Sequence, residues 1–114
     1  MTRRTATAWA VLCVLATYAA AFRLGAEAAV RTPVTHTVTV DSARFSPADL
    51  TINAGDSVVW INKDLLAHTA TTVKAGFDSK VIQPGESWRY TARRKGEFAY
   101  ACSFHPMKAI LRVK

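Results

Sequence analysis

The sequence lacks features that would place it among membrane-spanning or helical proteins. Its longest apolar stretch, from about Ala8 to Phe22, has about fifteen residues, whereas a membrane-spanning helix needs roughly 20. After residue 28, no segment repeats apolar side chains with the 3.6-residue period of an amphipathic helix. There are only two cysteines, Cys13 and Cys102. What remains is a chain of 114 residues, half of them apolar, which suffices for one small domain with a core.

The first 28 residues have the layout of a secretory signal peptide. They contain an arginine pair, then the apolar run, then small residues that end in Ala-Glu-Ala at position 28. An uncleaved membrane anchor is the alternative, and only in that case do we expect contact with a membrane. Cleavage would place the protein in the periplasm or outside the cell. Residues 29–35 then form a short tether ahead of a domain that spans residues 36–114.

The charge of the exported part is positive but scattered. Residues 29–114 carry 12 Lys and Arg against 7 Asp and Glu, which is a net charge of +5. The only basic run is Arg93-Arg94-Lys95, which is either a solvated turn or a patch that steers an acidic partner protein. We expect no nucleic-acid partner, because the export signal removes the chain from the cytoplasm and no basic helix is visible.

Alternation of polar and apolar side chains predicts strands along the exported part. Val58 and Trp60 share one face of their strand while Val59 and Ile61 share the other, so we expect this strand to be central and covered on both faces. The pattern predicts an all-β fold, an antiparallel sandwich or barrel of seven or eight strands with Greek-key connections. The predicted strands cover residues 35–42, 49–63 with a turn at 53–56, 68–73, 80–83, 87–92, 96–102 and 109–113.

Three metal-binding side chains lie within six positions of each other near the end of the chain: Cys102, His105 and Met107. After removal of the leader, Cys102 has no cysteine partner in an oxidising compartment, and a bound metal would protect the thiol. His68 precedes a predicted strand, and loops at one end of a sandwich meet in space. Two imidazoles and a thiolate with a weak thioether are the ligands of a blue-copper site. We expect His36, the third histidine, to lie at the surface.

These residues lie in a segment that resembles a small blue-copper cupredoxin of the plastocyanin and amicyanin kind. The resemblance runs from "FSPADLTINAGDSVVWINKD" through "HTATT" and "GFDSKVIQPGESWRYTARRKGEFAYACSFHP" to "MKAILRVK". It implies a cupredoxin-like Greek-key fold for residues 36–114 and one copper ion that cycles between Cu(I) and Cu(II). By this resemblance His68, Cys102 and His105 are the equatorial ligands and Met107 is the axial ligand.

The resemblance also assigns roles to three polar residues near these ligands. Thr69 corresponds to a residue whose side chain braces the cysteine loop, and such contacts orient the ligands. Asn62 and Asp64 correspond to loop residues that we interpret as structural.

One departure from the family pattern concerns the axial position. Small cupredoxins usually have at least two residues between the second histidine and the methionine, whereas only Pro106 separates His105 from Met107. If the loop is too short for the methionine, the axial position is open, is filled by water or is approached by the carbonyl of Ala67. Met107 then packs in the protein or lies at the surface.

The sequence therefore predicts a monomeric type 1 copper protein that carries single electrons between redox partner proteins. We expect no enzyme activity, because no activated nucleophile, acid-base pair or open catalytic metal position is evident. Phe104 and Pro106 flank His105 and are interpreted as an apolar collar or as ordinary loop packing. The alternative function is a copper-handling protein that binds and delivers the ion without redox cycling, which the short His105 to Met107 spacing favours. A metal-free interaction module is a third possibility.

Overall fold

The computed structural model describes residues 31–114. The predicted signal peptide, residues 1–28, and the start of the tether lie outside the described residues. Within the described part, no helix is long and apolar enough to cross a membrane. Residues 31–114 contain eight strands: β1 (Thr35–Asp41), β2 (Arg44–Ser46), β3 (Asp49–Ile52), β4 (Ser57–Asn62), β5 (Thr71–Thr72), β6 (Ser87–Thr91), β7 (Gly96–Ala101) and β8 (Lys108–Val113).

The strands form two four-stranded sheets, in the orders β2-β1-β4-β6 and β3-β8-β7-β5. This confirms the prediction of an all-β fold of seven or eight strands. The prediction that it is antiparallel was wrong for two pairs, because β1 runs parallel to β4 and β3 runs parallel to β8. Alternation of side chains reports which face of a strand is buried and carries no information on strand direction.

The core lies between the two sheets and consists mainly of aromatic and branched side chains. Val58 and Trp60 of β4 are fully buried, and Phe98 and Tyr100 of β7 face them from the other sheet. The rings of Trp60 and Tyr100 meet edge to face with centroids 5.6 Å apart, a favourable arrangement for aromatic pairs. The outer face of β4 is only partly covered, so the strand is central in its sheet as predicted but is not buried on both faces.

The region between β4 and β6 differs most from the predicted strands. Of the segment 68–73 only Thr71–Thr72 pairs as a strand, and the segment 80–83 is reduced to one bridge between His68 and Ile82. A side chain takes one place of the ladder here: the Ser79 hydroxyl accepts a hydrogen bond from the Ala70 N–H at 2.8 Å, while the Ser79 N–H donates to the Ala70 carbonyl at 3.1 Å. The short strand β2 was not predicted, since three residues give too little alternation to detect.

A buried carboxylate fixes the start of β1 at the turn between β3 and β4. Asp56 accepts hydrogen bonds from the backbone N–H groups of Val34 at 2.9 Å and Asn53 at 3.1 Å. It also lies 3.0 Å from Nε2 of His36. His36 is therefore partly buried and paired with an acid, in contrast to the exposed position that we expected for it.

Candidate metal centre

The end of β7 and the loop to β8 place Cys102 beside His105. Cys102 directly follows β7, and its N–H donates to the carbonyl of Met107 at 3.2 Å. The Met107 N–H donates in turn to the carbonyl of His105 at 2.8 Å. These two bonds make a tight loop of residues 102–107 that turns His105 Nδ1 to within 3.7 Å of Cys102 Sγ.

His68 reaches the same point from a distant part of the chain. Its backbone N–H and C=O both pair with Ile82, at 3.1 and 2.8 Å, which holds the residue at the edge of the core. The side chain is fully buried, and its Nδ1 lies 3.6 Å from Cys102 Sγ. The structure thus brings together His68, Cys102 and His105, three of the four residues that the sequence singled out, and their ligand atoms all lie within 4.8 Å of one another.

The separations between sulfur and nitrogen suit a single metal ion. Zinc binds at about 2.3 Å from sulfur and about 2.0 Å from nitrogen, and we take these bond lengths for a first-row ion. With an angle of about 110 to 120° at the metal, the sulfur and the nitrogen are then about 3.5 to 3.7 Å apart. The observed 3.6 and 3.7 Å fall in this range. One thiolate and two imidazoles are donors that copper accepts in both oxidation states.

The protein stabilises the thiolate form of Cys102, which is the form that binds metals. Two backbone N–H groups, of Thr69 and Phe104, point at the sulfur from 3.4 Å. Burial alone would raise the pKa of the thiol, but the N–H groups of Phe104 and Thr69, together with His105 and His68, outweigh burial and lower the pKa to about 6. The sulfur therefore carries negative charge at neutral pH before any metal binds.

A carboxylate orients the His68 ring from the side opposite the sulfur. Asp64 Oδ2 lies 2.8 Å from His68 Nε2. Because a carboxylate only accepts hydrogen bonds, Nε2 carries a proton. The protonated ring also donates from Nδ1 to the Cys102 thiolate, and loss of that Nδ1 proton leaves a lone pair that faces the site. Burial alone would lower the pKa of His68, but the contacts with Cys102 and Asp64 hold it above its ordinary value. The Ala43 N–H, followed by His68 and the Leu65 N–H, holds the pKa of Asp64 below its ordinary value.

The role of Asp64 goes beyond the structural one that the sequence suggested. Asn62 does hold the loop, since its amide donates to the carbonyls of Leu66 and Ile82, both at 2.8 Å. Its side-chain oxygen accepts from the Asp64 N–H at 2.9 Å. An acid four residues before a histidine in a loop has no periodic signature, so the sequence offered no signal for the contact between Asp64 and His68.

A hydroxyl joins the two loops that carry these three residues. The Ser103 N–H donates to Thr69 Oγ1 at 2.9 Å, and the Thr69 hydroxyl donates to Ser103 Oγ at 3.1 Å. The Thr71 hydroxyl also donates to Thr69 Oγ1 at 3.1 Å. Thr69, next to His68, therefore fixes the residue next to Cys102, as the resemblance implied.

A family model described as a cupredoxin-like domain matches residues 5–113. The chain belongs to this cupredoxin-like family. The predicted resemblance, the all-β fold and copper as the cofactor are thereby confirmed, and the histidine-cysteine cluster is the place in residues 31–114 that could hold the ion.

Individual relatives of this cupredoxin match over part of their length. Chloroplastic plastocyanin of Tetradesmus obliquus is 35% identical over 72 residues, which are 54% of this chain and 50% of plastocyanin. Amicyanin of Paracoccus versutus is 24% identical over 74 residues, 60% of this chain and 56% of amicyanin. The chain spans about half the length of these curated relatives. Among solved structures, a copper-containing nitrite reductase from Thermus scotoductus SA-01 has a TM-score of 0.67 at 30% identity, covering 75% of this chain and 23% of the reductase.

The fourth predicted site residue of this cupredoxin, Met107, is buried with 3% of its surface exposed and packs in the core. Its backbone lies opposite Cys102, because Ala101 pairs with Lys108 in the ladder and the Cys102 N–H donates to the Met107 carbonyl. Residues that lie opposite each other in an antiparallel pair put their side chains on the same face, with Cβ atoms about 5 Å apart. The Met107 backbone therefore lies beside that of Cys102 at the end of the β7–β8 ladder.

The surroundings of the cluster are apolar and partly open to solvent. His105 is the one residue of the cluster that is only partly buried. Phe104 beside it is 55% exposed, and Leu65 and Leu66 of the loop before His68 are 91% and 55% exposed. Phe104 and Pro106 flank His105 and are exposed, and two exposed leucines that the sequence did not single out, Leu65 and Leu66, lie in the loop that leads to His68. We call Leu65, Leu66, Phe104 and Pro106 the apolar collar.

Proposed function

We propose that this cupredoxin is a type 1 copper protein that carries single electrons between redox partner proteins in the periplasm or outside the cell. The observation that carries the proposal is the position of Cys102 Sγ, 3.6 and 3.7 Å from the Nδ1 atoms of His68 and His105. In the proposed site His68, Cys102 and His105 would hold the ion. When bound, copper supplies a one-electron couple between Cu(I) and Cu(II).

The chain's own residues prepare this site before an ion binds. The N–H groups of Thr69 and Phe104 stabilise the thiolate, and Asp64 fixes the tautomer of His68. Backbone pairing and the Thr69 brace hold both loops in place. A site that is already arranged changes little when an electron arrives or leaves, which favours fast transfer. Protonation of the thiolate and the imidazoles in acid opposes metal binding, so copper should be released at low pH.

We propose that Met107, the predicted axial ligand, would be the fourth residue to hold the ion. Its backbone lies beside that of Cys102, which supports this proposal. The chain accommodates the short spacing to His105 with a tight turn, in which the Met107 N–H donates to the His105 carbonyl. Replacement of Met107 by leucine should keep the thiolate spectrum and raise the reduction potential, because it removes a ligand.

The exposed edge of His105 inside the apolar collar is the proposed exit for electrons. A partner that packs on Leu65, Leu66 and Phe104 would contact this ring. The enclosed positions of His68 and Cys102 support a carrier rather than an enzyme, since a substrate could approach the site only past His105. We expect the carrier to work as a monomer with acidic redox partners.

The test is the absorption and electron paramagnetic resonance spectrum of the copper-loaded protein. An intense thiolate-to-copper band with narrow hyperfine splitting supports the site, and Cys102→Ser should abolish both. A colourless protein with ordinary tetragonal copper signals would contradict the assignment of Cys102 as a ligand.

The second candidate function is copper delivery without redox cycling, which the single residue between His105 and Met107 favours. Voltammetry separates the two functions. A carrier gives a reversible one-electron wave and keeps its copper in both states, whereas a delivery protein loses the ion on reduction or passes it to an acceptor.

A further inference from the structure

A concave surface with basic walls lies along β7, on the flank of the sandwich. It encloses about 440 Å³ and is lined by residues 72–75, residues 94–99 and Ile110. We call it the basic groove. Its volume is within the range of sites that receive ligand or peptide side chains, and none of its lining residues belongs to the metal centre.

The groove combines three cations with an apolar lining. The groove is lined by Lys74, Arg94 and Lys95. Val73 adds an apolar side chain that is 71% exposed among the described residues. The groove's one acidic residue, Glu97, is paired with Arg112. The groove therefore offers positive charge around apolar surface.

Arg94 is held in a fixed position across the groove. Its guanidinium donates to the Ala75 carbonyl at 3.3 Å and lies over the Phe98 ring, 5.4 Å from the centroid. The two walls of the groove are thus joined by one side chain, which still has further N–H donors for a ligand. An arranged arginine loses less entropy on binding a carboxylate than a free lysine does.

The backbone at the groove is suited to an extended polypeptide. On the side of β7 away from β8, β5 pairs only with Tyr100 and Ala101, and the Val73 N–H reaches the Ala99 carbonyl at 2.9 Å. No strand among residues 31–114 continues this edge beside residues 96–98. An open sheet edge accepts an added strand, with main-chain bonds for affinity and side-chain pockets for specificity.

We propose that the basic groove docks an acidic, extended segment of the redox partner, with carboxylates on Lys74, Arg94 and Lys95 and apolar side chains on Val73. This inference rests on the proposed electron-carrier function and gives the partner a second contact besides the apolar collar. The two contacts are connected, because β7 lines the groove and leads directly to Cys102. Ala99 is three residues from Cys102, about 10 Å along the strand.

The experiment uses the copper-loaded protein and a fluorescent eight-residue peptide that alternates aspartate with leucine. Binding is followed by fluorescence anisotropy and by shifts of backbone amide resonances. We expect the resonances of residues 72–75 and 94–99 to shift, and binding to weaken when salt is raised to about 0.1 M, where the Debye length is about 10 Å. A control peptide with asparagine in place of aspartate should not bind.

Variants test the groove directly. Lys74→Gln with Lys95→Gln should raise the peptide Kd about 5-fold or more, since each lost ion pair weakens binding modestly. Lys63→Gln with Arg89→Gln removes the same charge from two exposed positions, one directly after β4 and one in β6. This pair should change the Kd by less than about 2-fold. Val73→Ser should weaken binding without changing its salt dependence.

Three results would overturn the inference. These are equal weakening by both pairs of variants, amide shifts confined to the apolar collar, and binding to phosphatidylglycerol vesicles through the same lysines without binding of the peptide. The copper spectrum and the reduction potential of the Lys74→Gln, Lys95→Gln variant should match those of the unmodified protein. Failure of the electron-carrier function is therefore seen in the spectrum and failure of the groove in the peptide titration.

Discussion

Replacement of Thr69 by valine removes the brace between the two loops of the metal centre and keeps the volume of the side chain. The residue is 4% exposed, so water cannot easily replace its hydroxyl. The substitution deletes three hydrogen bonds, from the Ser103 N–H, to Ser103 Oγ and from the Thr71 hydroxyl. The backbone N–H of Ser103 loses its acceptor, whereas the two hydroxyls can rotate toward solvent.

The expected loss of stability follows from these three bonds. A buried donor left without a partner costs about 1 to 3 kcal/mol. The two bonds between hydroxyl groups contribute about 0.5 to 1.5 kcal/mol each when made, and solvent recovers part of this. We therefore expect Thr69→Val to lower the free energy of unfolding by about 2 to 4 kcal/mol. For a domain of this size, this lowers the melting temperature by more than about 8 °C.

Thermal and denaturant unfolding of the metal-free protein measure this loss without any contribution from copper. Thr69→Ser keeps the hydroxyl and should recover most of the stability. Thr37→Val, the same change at an exposed position of β1, should alter the free energy of unfolding by less than about 0.5 kcal/mol. If Thr69→Val and Thr37→Val change the free energy of unfolding equally, the hydrogen bonds of Thr69 do not stabilise the protein.

Three further predictions concern single groups. Asp64→Asn removes the charge that faces the outer nitrogen of His68, and competition with a chelator should show copper affinity reduced about 10- to 100-fold. In metal-free protein with Cys13→Ser, the thiolate absorbance of Cys102 should rise through a midpoint near pH 6, the pKa that its N–H donors and imidazoles produce, and a midpoint above pH 8 would contradict the described environment. Asp56→Ala leaves two N–H groups without their acceptor and should destabilise the fold by about 2 to 5 kcal/mol in urea unfolding, with the copper spectrum unchanged.

Much of the metal centre could be predicted because metal binding requires particular side chains, which the sequence shows directly. A cysteine, a histidine and a methionine within six positions, after a predicted export signal and among predicted strands, left few alternatives for the unpaired thiol. His68 was a less obvious member, since it is 34 residues from Cys102, and its place before a predicted strand together with the family resemblance ranked it above His36. The structure separates the two histidines clearly: one contacts the cysteine and the other a buried aspartate.

The parts that escaped prediction depend on long-range geometry or on single polar contacts. Strand direction in the pairs β1-β4 and β3-β8 is decided by connections and not by alternation. The contact of Asp64 with His68, and the Ser79 bond that replaces a strand ladder, are formed by side chains whose partners lie off any periodic pattern. Pairing of this kind becomes visible only when the backbone path is known.

The burial of His68 and Cys102 helps to decide whether the protein carries electrons or delivers copper. An acceptor that takes the ion must replace its ligands one at a time, and it can begin only at His105, because His68 and Cys102 are buried. The Cys102 sulfur is held in its charged form by the N–H groups of Thr69 and Phe104. These contacts would therefore oppose release of the ion, whereas in the proposed carrier an electron would need only a path through His105, the partly buried residue of the cluster. If copper nevertheless moves to an acceptor protein within seconds at neutral pH, these buried contacts do not retain the ion, and delivery is the better account of the protein.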